Sequence, residues 1–235
     1  MTRIVYKVIL FFIAVNFLYS QDNQDLRKHF YYPEPAEKYE ILSAIGLSIG
    51  KIPKFIVDDQ INQSPMLFGS VRLGLFYNLS LNASVNTNYL TNHFTLGPGW
   101  HFSYKKLSLS LADNFAYWFG SANFDNFNVS INGWMNNPSL SVGYDLTKVL
   151  ATFKAELTIV SHITKYVGDE TVQTKKGQVV GTSFSFLLEQ PLWKQNYVIL
   201  GLKLNYTKYY YQSWLAFSTR EQWLVIPEFS IGYII

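Results

Sequence analysis

The chain has 235 residues, a formal net charge of +3 and no cysteine, and its aromatic share (17%) exceeds its charged share (15%). Soluble domains carry roughly 25% charged residues, so this composition points away from an ordinary soluble protein. The charge balance excludes a basic nucleic-acid-binding surface, and the missing cysteines exclude a disulfide-stapled secreted domain.

The N-terminus, MTRIVYKVILFFIAVNFLYS, places Arg3 and Lys7 ahead of an apolar run from Val8 to Leu18, and a polar stretch follows Ser20. That layout predicts a secretory signal peptide over residues 1–20, cut near Ser20, because the run is short for a bilayer span. Its removal lowers the formal charge from +3 to +1. Residues 21–40, with Pro33 and Pro35, read as a polar periplasmic lead-in. They form either a short tail or a segment tucked into the mouth of the following domain. No later segment resembles a transmembrane helix. An exported, charge-poor, aromatic-rich chain of this kind fits a bilayer-spanning β-barrel, whose alternating lipid-facing and lumen-facing residues dilute the hydropathy signal.

Residues 41–235 pass the period-two test for strands. In 41–50, Ile41, Ile45, Leu47 and Ile49 oppose Ala44, Gly46, Ser48 and Gly50. In 79–89, Leu79, Leu81, Ala83, Val85 and Tyr89 oppose Ser80, Asn82, Ser84, Asn86 and Asn88. Further alternating segments cover 67–77, 94–104, 107–119, 140–146, 149–159, 180–188, 198–206 and 223–235. The expectation is an all-β, single antiparallel up-and-down transmembrane β-barrel of about ten strands. Eight or twelve stay open, since 120–137 has room for an added hairpin on Phe127, Val129 and Ile131. Tight connections at Asn78, Lys105-Lys106 and Thr147-Lys148, with a longer one at 190–196, fall on one side. Connections at 51–66, 90–93, 120–137, 163–178 and 211–222 fall on the other, all but one of them long, which matches short periplasmic turns and long outer loops. Tyr77, Phe102, Tyr104, Tyr144, Tyr197 and Tyr233 gather at inner strand ends. Tyr89, Tyr117, Phe119, Tyr206 and Tyr210 gather at outer ends, as two interfacial girdles would.

The chain ends in Tyr233-Ile234-Ile235 within the last strand. Here it resembles the bacterial outer-membrane β-barrel proteins, which end in a closing strand with an aromatic residue at or near the terminus. The resemblance covers 41–235 and is architectural. It implies insertion by the barrel-assembly machinery and an outer-membrane location, with outer-membrane lipid as a partner, and it implies no activity.

Strand phase points Arg72, Lys154, Glu156, Lys203 and Glu228 into the lumen, where they are expected to meet near mid-height. They form either a paired ionic plug or a narrow path for an ion or small solute. His101 and Ser103 share that face. Residues 101–103 match the His-x-Ser pair of outer-membrane lipid A deacylases, but Tyr104 stands where that family has Asn, and no acidic third member follows. Asp58, Asp59 and His162 near the outer rim invite comparison with omptin-type proteases, whose paired motifs are not reproduced. Trp134, Tyr209, Tyr211 and Trp214 are loop aromatics available to an extracellular ligand or protein. No cofactor or metal site is read from the sequence.

Gly97-Pro98-Gly99 interrupts one strand. Pairing across the Lys105-Lys106 turn brings Pro98 opposite Asp113, both on the lipid phase near mid-membrane. Proline leaves a ladder bond unmade and a carboxylate is costly there, so a β-bulge or kink is expected to turn Asp113 toward the lumen or a backbone donor. The function read from all this is a non-enzymatic integral outer-membrane barrel with a largely filled lumen and outer loops for binding. The alternatives are an outer-membrane hydrolase and a narrow pore.

Overall fold

The computed structural model describes residues 29–53, 62–124, 127–168, 170–193, 196–209, Gln212, Trp214 and 222–235. The predicted signal peptide, Asp58, Asp59, Tyr210 and Tyr211 lie outside the described residues. Ten strands follow in chain order: β1 (Ile41–Lys51), β2 (Gln63–Gly74), β3 (Leu79–Thr87), β4 (Thr91–Tyr104), β5 (Leu107–Phe124), β6 (Phe127–Asp145), β7 (Leu150–Val167), β8 (Glu170–Trp193), β9 (Asn196–Thr207) and β10 (Leu224–Ile234). Each pairs antiparallel with its sequence neighbours, and β1 closes on β10 with Ala44 opposite Ile234. Closure leaves no unpaired sheet edge in the ring shared by all ten strands, which is the condition for a sheet to stand in an apolar medium; beyond it the ends of β5 (121–124) and β8 (170–179) project as edges.

Alternation sets the wall. Ile45, Leu47 and Ile49 face outward while Ser48 is buried inside, and the same division runs around the barrel. One end carries the tight turns and the C-terminus. There Tyr77 and Asn78 both adopt positive φ (58° and 60°), the requirement of a two-residue turn whose twist matches its strands. At the opposite, far end, the long connections expected over 120–137 and 163–178 are instead paired strand. β5 and β6 stay in register up to Phe124 opposite Phe127, and β7 and β8 up to Val167 opposite Glu170. The 190–196 connection is likewise shortened, with Trp193 opposite Asn196. Two signals hid these extensions. In 120–137 the alternation is inverted, with apolar residues inward. In 160–180 the period is broken by extra residues at Ser161, where the β6–β7 register shifts by one, and at Val172 and Val180, where the β7–β8 register shifts twice. The strand count stays at ten; the room in 120–137 lengthens β5 and β6 and adds no new strands. The wall is therefore lopsided, from 9 residues in β3 to 24 in β8.

Candidate functional site

At the tight-turn end the lumen is floored by residues 29–36. Glu189, fully buried on β8, accepts the backbone N–H groups of Phe30 and Tyr31 on Oε1 (2.7 and 2.9 Å) and of Tyr32 on Oε2 (2.7 Å). Arg72, on β2, donates to the carbonyls of Phe30, Tyr32 (3.3 Å) and Glu34 (3.4 Å). An acid thus gathers the N–H groups of a bent segment and a base its carbonyls, while Phe30 packs with Leu42, Ala44, Leu187, Ile199 and Ile234. Burial pushes the Tyr31 hydroxyl up to about 12, so this floor carries no tyrosinate. Tyr197 faces this cluster and does not join the outward girdle predicted for it. Residues 29–40 therefore take the tucked arrangement.

Above the floor lies a polar chamber of about 280 Å³. Glu156 bridges Lys154 (2.6 Å) and Lys203 (3.3 Å). Glu228, register partner of Lys203, accepts Gln212 Nε2 (2.8 Å) and Asn205 Nδ2 (3.2 Å). The expected single cluster at mid-height is thus two layers, because Glu189 lies four residues nearer the turn end than Ser185, which pairs with both Lys154 and Lys203. Arg72 belongs to the lower layer. His101 is buried and its Nε2 pairs with Ser80 Oγ (2.7 Å), whereas Ser103 pairs with Ser108 (2.8 Å). The two letters matching the deacylase pair make no bond to each other, and His101 Nδ1 has no orienting acid.

The far end is capped from within. Trp118 (1% exposed), Val129, Ile131, Met135, Val160, Ile163 and Val180 face inward from the tall β5–β8 wall. Trp214, from the β9–β10 connection, packs on them at 3% exposure, with Tyr209 beside it. Gly120 makes room, since a Cβ there would overlap the Trp214 indole. Gln212, two residues earlier, reaches Ser48 (3.4 Å) and Glu228, while its carbonyl accepts Ser64 (2.9 Å) and Asn88 (3.1 Å). Trp214 and Tyr209 are thus internal packing groups, in contrast to the binding role read for them. Trp134 is no loop residue either. It lies outward on β6, 56% exposed and 4.6 Å from the Tyr117 ring, in a rim completed by Phe119, Tyr206 and Trp223. His162 stands beside it in register and pairs with Thr164 (2.9 Å). Beyond this rim the wall inverts: Ser121, Asn123, Asn128, Ser130 and Asn132 face outward, and the apolar cluster fills the inside.

At mid-height the outer wall is irregular in a different way from that expected. The β4–β5 register is the same on both sides of Gly97-Pro98, with Leu96 opposite Phe115 and Gly99 opposite Ala112, so there is no bulge. Asp113 keeps its outward place, facing Pro138 on β6, and accepts Asn136 Nδ2 at 3.4 Å. Close approach of the strands replaces the kink: a Cβ on Gly97 would overlap the Asp113 carbonyl. Gly97→Val is expected to lower stability by about 1–3 kcal/mol through overpacking, read as an earlier urea midpoint than that of a Gly69→Val control, where the space is open.

Glu189, Ser80, Asn205 and Gln212 were missed in the sequence reading. Phase alone places Glu189 inward with Ser183, Ser185 and Leu187, but it bordered a stretch read as connection. Nothing local marks Gln212.

No protein-family model matches the chain, and no curated protein matches it in sequence. Solved structures do. The NanC porin is 10% identical over 82% of this chain and 98% of its own, with a TM-score of 0.41. The Salmonella typhi outer membrane phospholipase dimer with bound calcium is 11% identical over 88% and 98%, with a TM-score of 0.38. CdiB from Acinetobacter baumannii is 11% identical over 71% of this chain, with a TM-score of 0.33, and the match spans only 31% of CdiB. At such identities and TM-scores these likenesses carry no assignment. The assignment rests on this chain's own strand order.

Proposed function

We propose that this is a non-enzymatic integral protein of a bacterial outer membrane whose lumen does not conduct, and whose far end faces outward as a binding surface. The observation that carries it is double closure: residues 29–36 locked by Glu189 and Arg72 at one end, Trp214 on the Trp118–Met135 cluster at the other. The outward belt supports the membrane setting. From Leu107 to Phe119, twelve residue steps at about 3.4 Å and a tilt of about 40° rise on the order of 30 Å, close to the roughly 25 Å apolar band of such barrels. The inversion of polarity beyond Trp134 marks where lipid gives way to water. The tight turns and residues 29–40 then lie on the periplasmic side, and the β5–β8 projection lies outside.

Refolded protein in a planar bilayer tests this directly. No stable large conductance step is expected. A reproducible open level of porin size would overturn the closed lumen and favour the solute-pore reading.

A further inference from the structure

Pro98 of β4, Asp113 of β5 and Pro138 of β6 stand side by side on the lipid-facing wall. The β4–β5 ladder has no bridge at Gly97-Pro98, and the β6–β7 ladder has none at Asn137-Pro138, yet neither register changes across its gap. Each proline removes a backbone donor. A groove of about 570 Å³ lies here, walled by Leu79, Trp100, Leu111, Leu140 and Leu157, with Pro98, Asp113 and Pro138 lining it. Asp113 Oδ1 and the adjacent Asn136 Oδ1 are both buried acceptors without a donor. The only hydrogen bond found between these two side chains is the 3.4 Å contact from Asn136 Nδ2 to Asp113 Oδ2.

We propose that this groove binds a lipophilic amine, with its apolar body against the leucines and Trp100 and its ammonium on Asp113. A carboxylate facing lipid lacks the solvation that water supplies, so a counter-charge is worth most there. The one hydrogen bond given to the Asp113 carboxylate is long, at 3.4 Å, and an ammonium brings both the missing charge and further donors. An alcohol supplies one donor and leaves the charge unmatched, and an anionic amphiphile is repelled. The apolar walls and single polar anchor are the usual division of labour in a small-molecule site.

Trp100 lines the groove and serves as the reporter. Full-length protein in phosphatidylcholine vesicles is titrated with a brominated alkylamine, and with the brominated alcohol and carboxylic acid of the same chain length. Subtracting the Trp100→Phe variant isolates the Trp100 signal. The amine is expected to quench Trp100 at about tenfold lower concentration than the alcohol, the size of one modest charge pair. Asp113→Asn, which keeps the shape and removes a mid-membrane charge, should fold normally and abolish that preference. Equal quenching by all three probes, or a preference that survives Asp113→Asn, overturns the proposal and leaves only ordinary contact with annular lipid.

Discussion

Glu189→Ala is expected to release residues 29–36 from the barrel mouth and to destabilise the protein by about 3–5 kcal/mol, the scale expected when several buried backbone donors lose a charged acceptor. The reason is specific to this floor. One carboxylate satisfies three successive backbone N–H groups, and on its removal the donors of Phe30, Tyr31 and Tyr32 lose their acceptor while Arg72 keeps its charge with less compensation. Cleavage of the N-terminal segment by proteinase K in folded, detergent-solubilised protein is the direct readout, with the urea midpoint as the second. Glu189→Gln should fall between, because its single carbonyl oxygen cannot replace both carboxylate oxygens. Protection equal to wild type in Glu189→Ala would show that burial of Phe30 and Tyr32 alone seats the segment.

Trp214→Ala is the second large effect, about 3–5 kcal/mol for removing a buried tryptophan from the cap cluster. Trp214 tethers the β9–β10 connection to the tall wall, so its loss also weakens the seat of Gln212 and, through it, the contact with Glu228. Because the two closures lie at opposite ends, the penalties of Glu189→Ala and Trp214→Ala should add within a few tenths of a kcal/mol. Conductance should behave differently. Each single variant retains one closure and stays silent in a planar bilayer, whereas the double variant opens both ends of the polar chamber and produces steps. Steps from Trp214→Ala alone would mean that residues 29–36 do not seal the tight-turn end.

The two corrections to the expected outer loops have different causes. In β5 and β6 the alternation of Val129 and Ile131 with Ser130 and Asn132 is as regular as in the membrane belt. Its sign is reversed, because above the rim the solvent is outside and the dry core inside. A pattern sought as apolar-outward does not find it. At Ser161, Val172 and Val180 the extra residues change the phase within one strand, which a period-two search reads as loss of structure. Asp113 teaches the opposite lesson. The register placing it opposite Pro98 was legible from the Lys105-Lys106 turn, but the response of the wall was not. Gly97 lets the strands approach without a bulge, and Asn136 supplies the donor.

By itself the sequence determined an up-and-down barrel of about ten strands, with eight or twelve left open, the two-faced alternation of its wall, and the tight turns. These follow from a strict two-residue period and from local turn chemistry, both of which are properties of short segments. The tertiary structure decided what sits in the two mouths of the barrel. Arg72, Glu189 and the backbone of residues 30–34 are separated by scores of positions, as are Trp214 and Trp118, and their meeting depends on closure of the sheet. Only a closed wall brings the lead-in segment under one mouth and a distant connection over the other, with a ring of polar side chains between them.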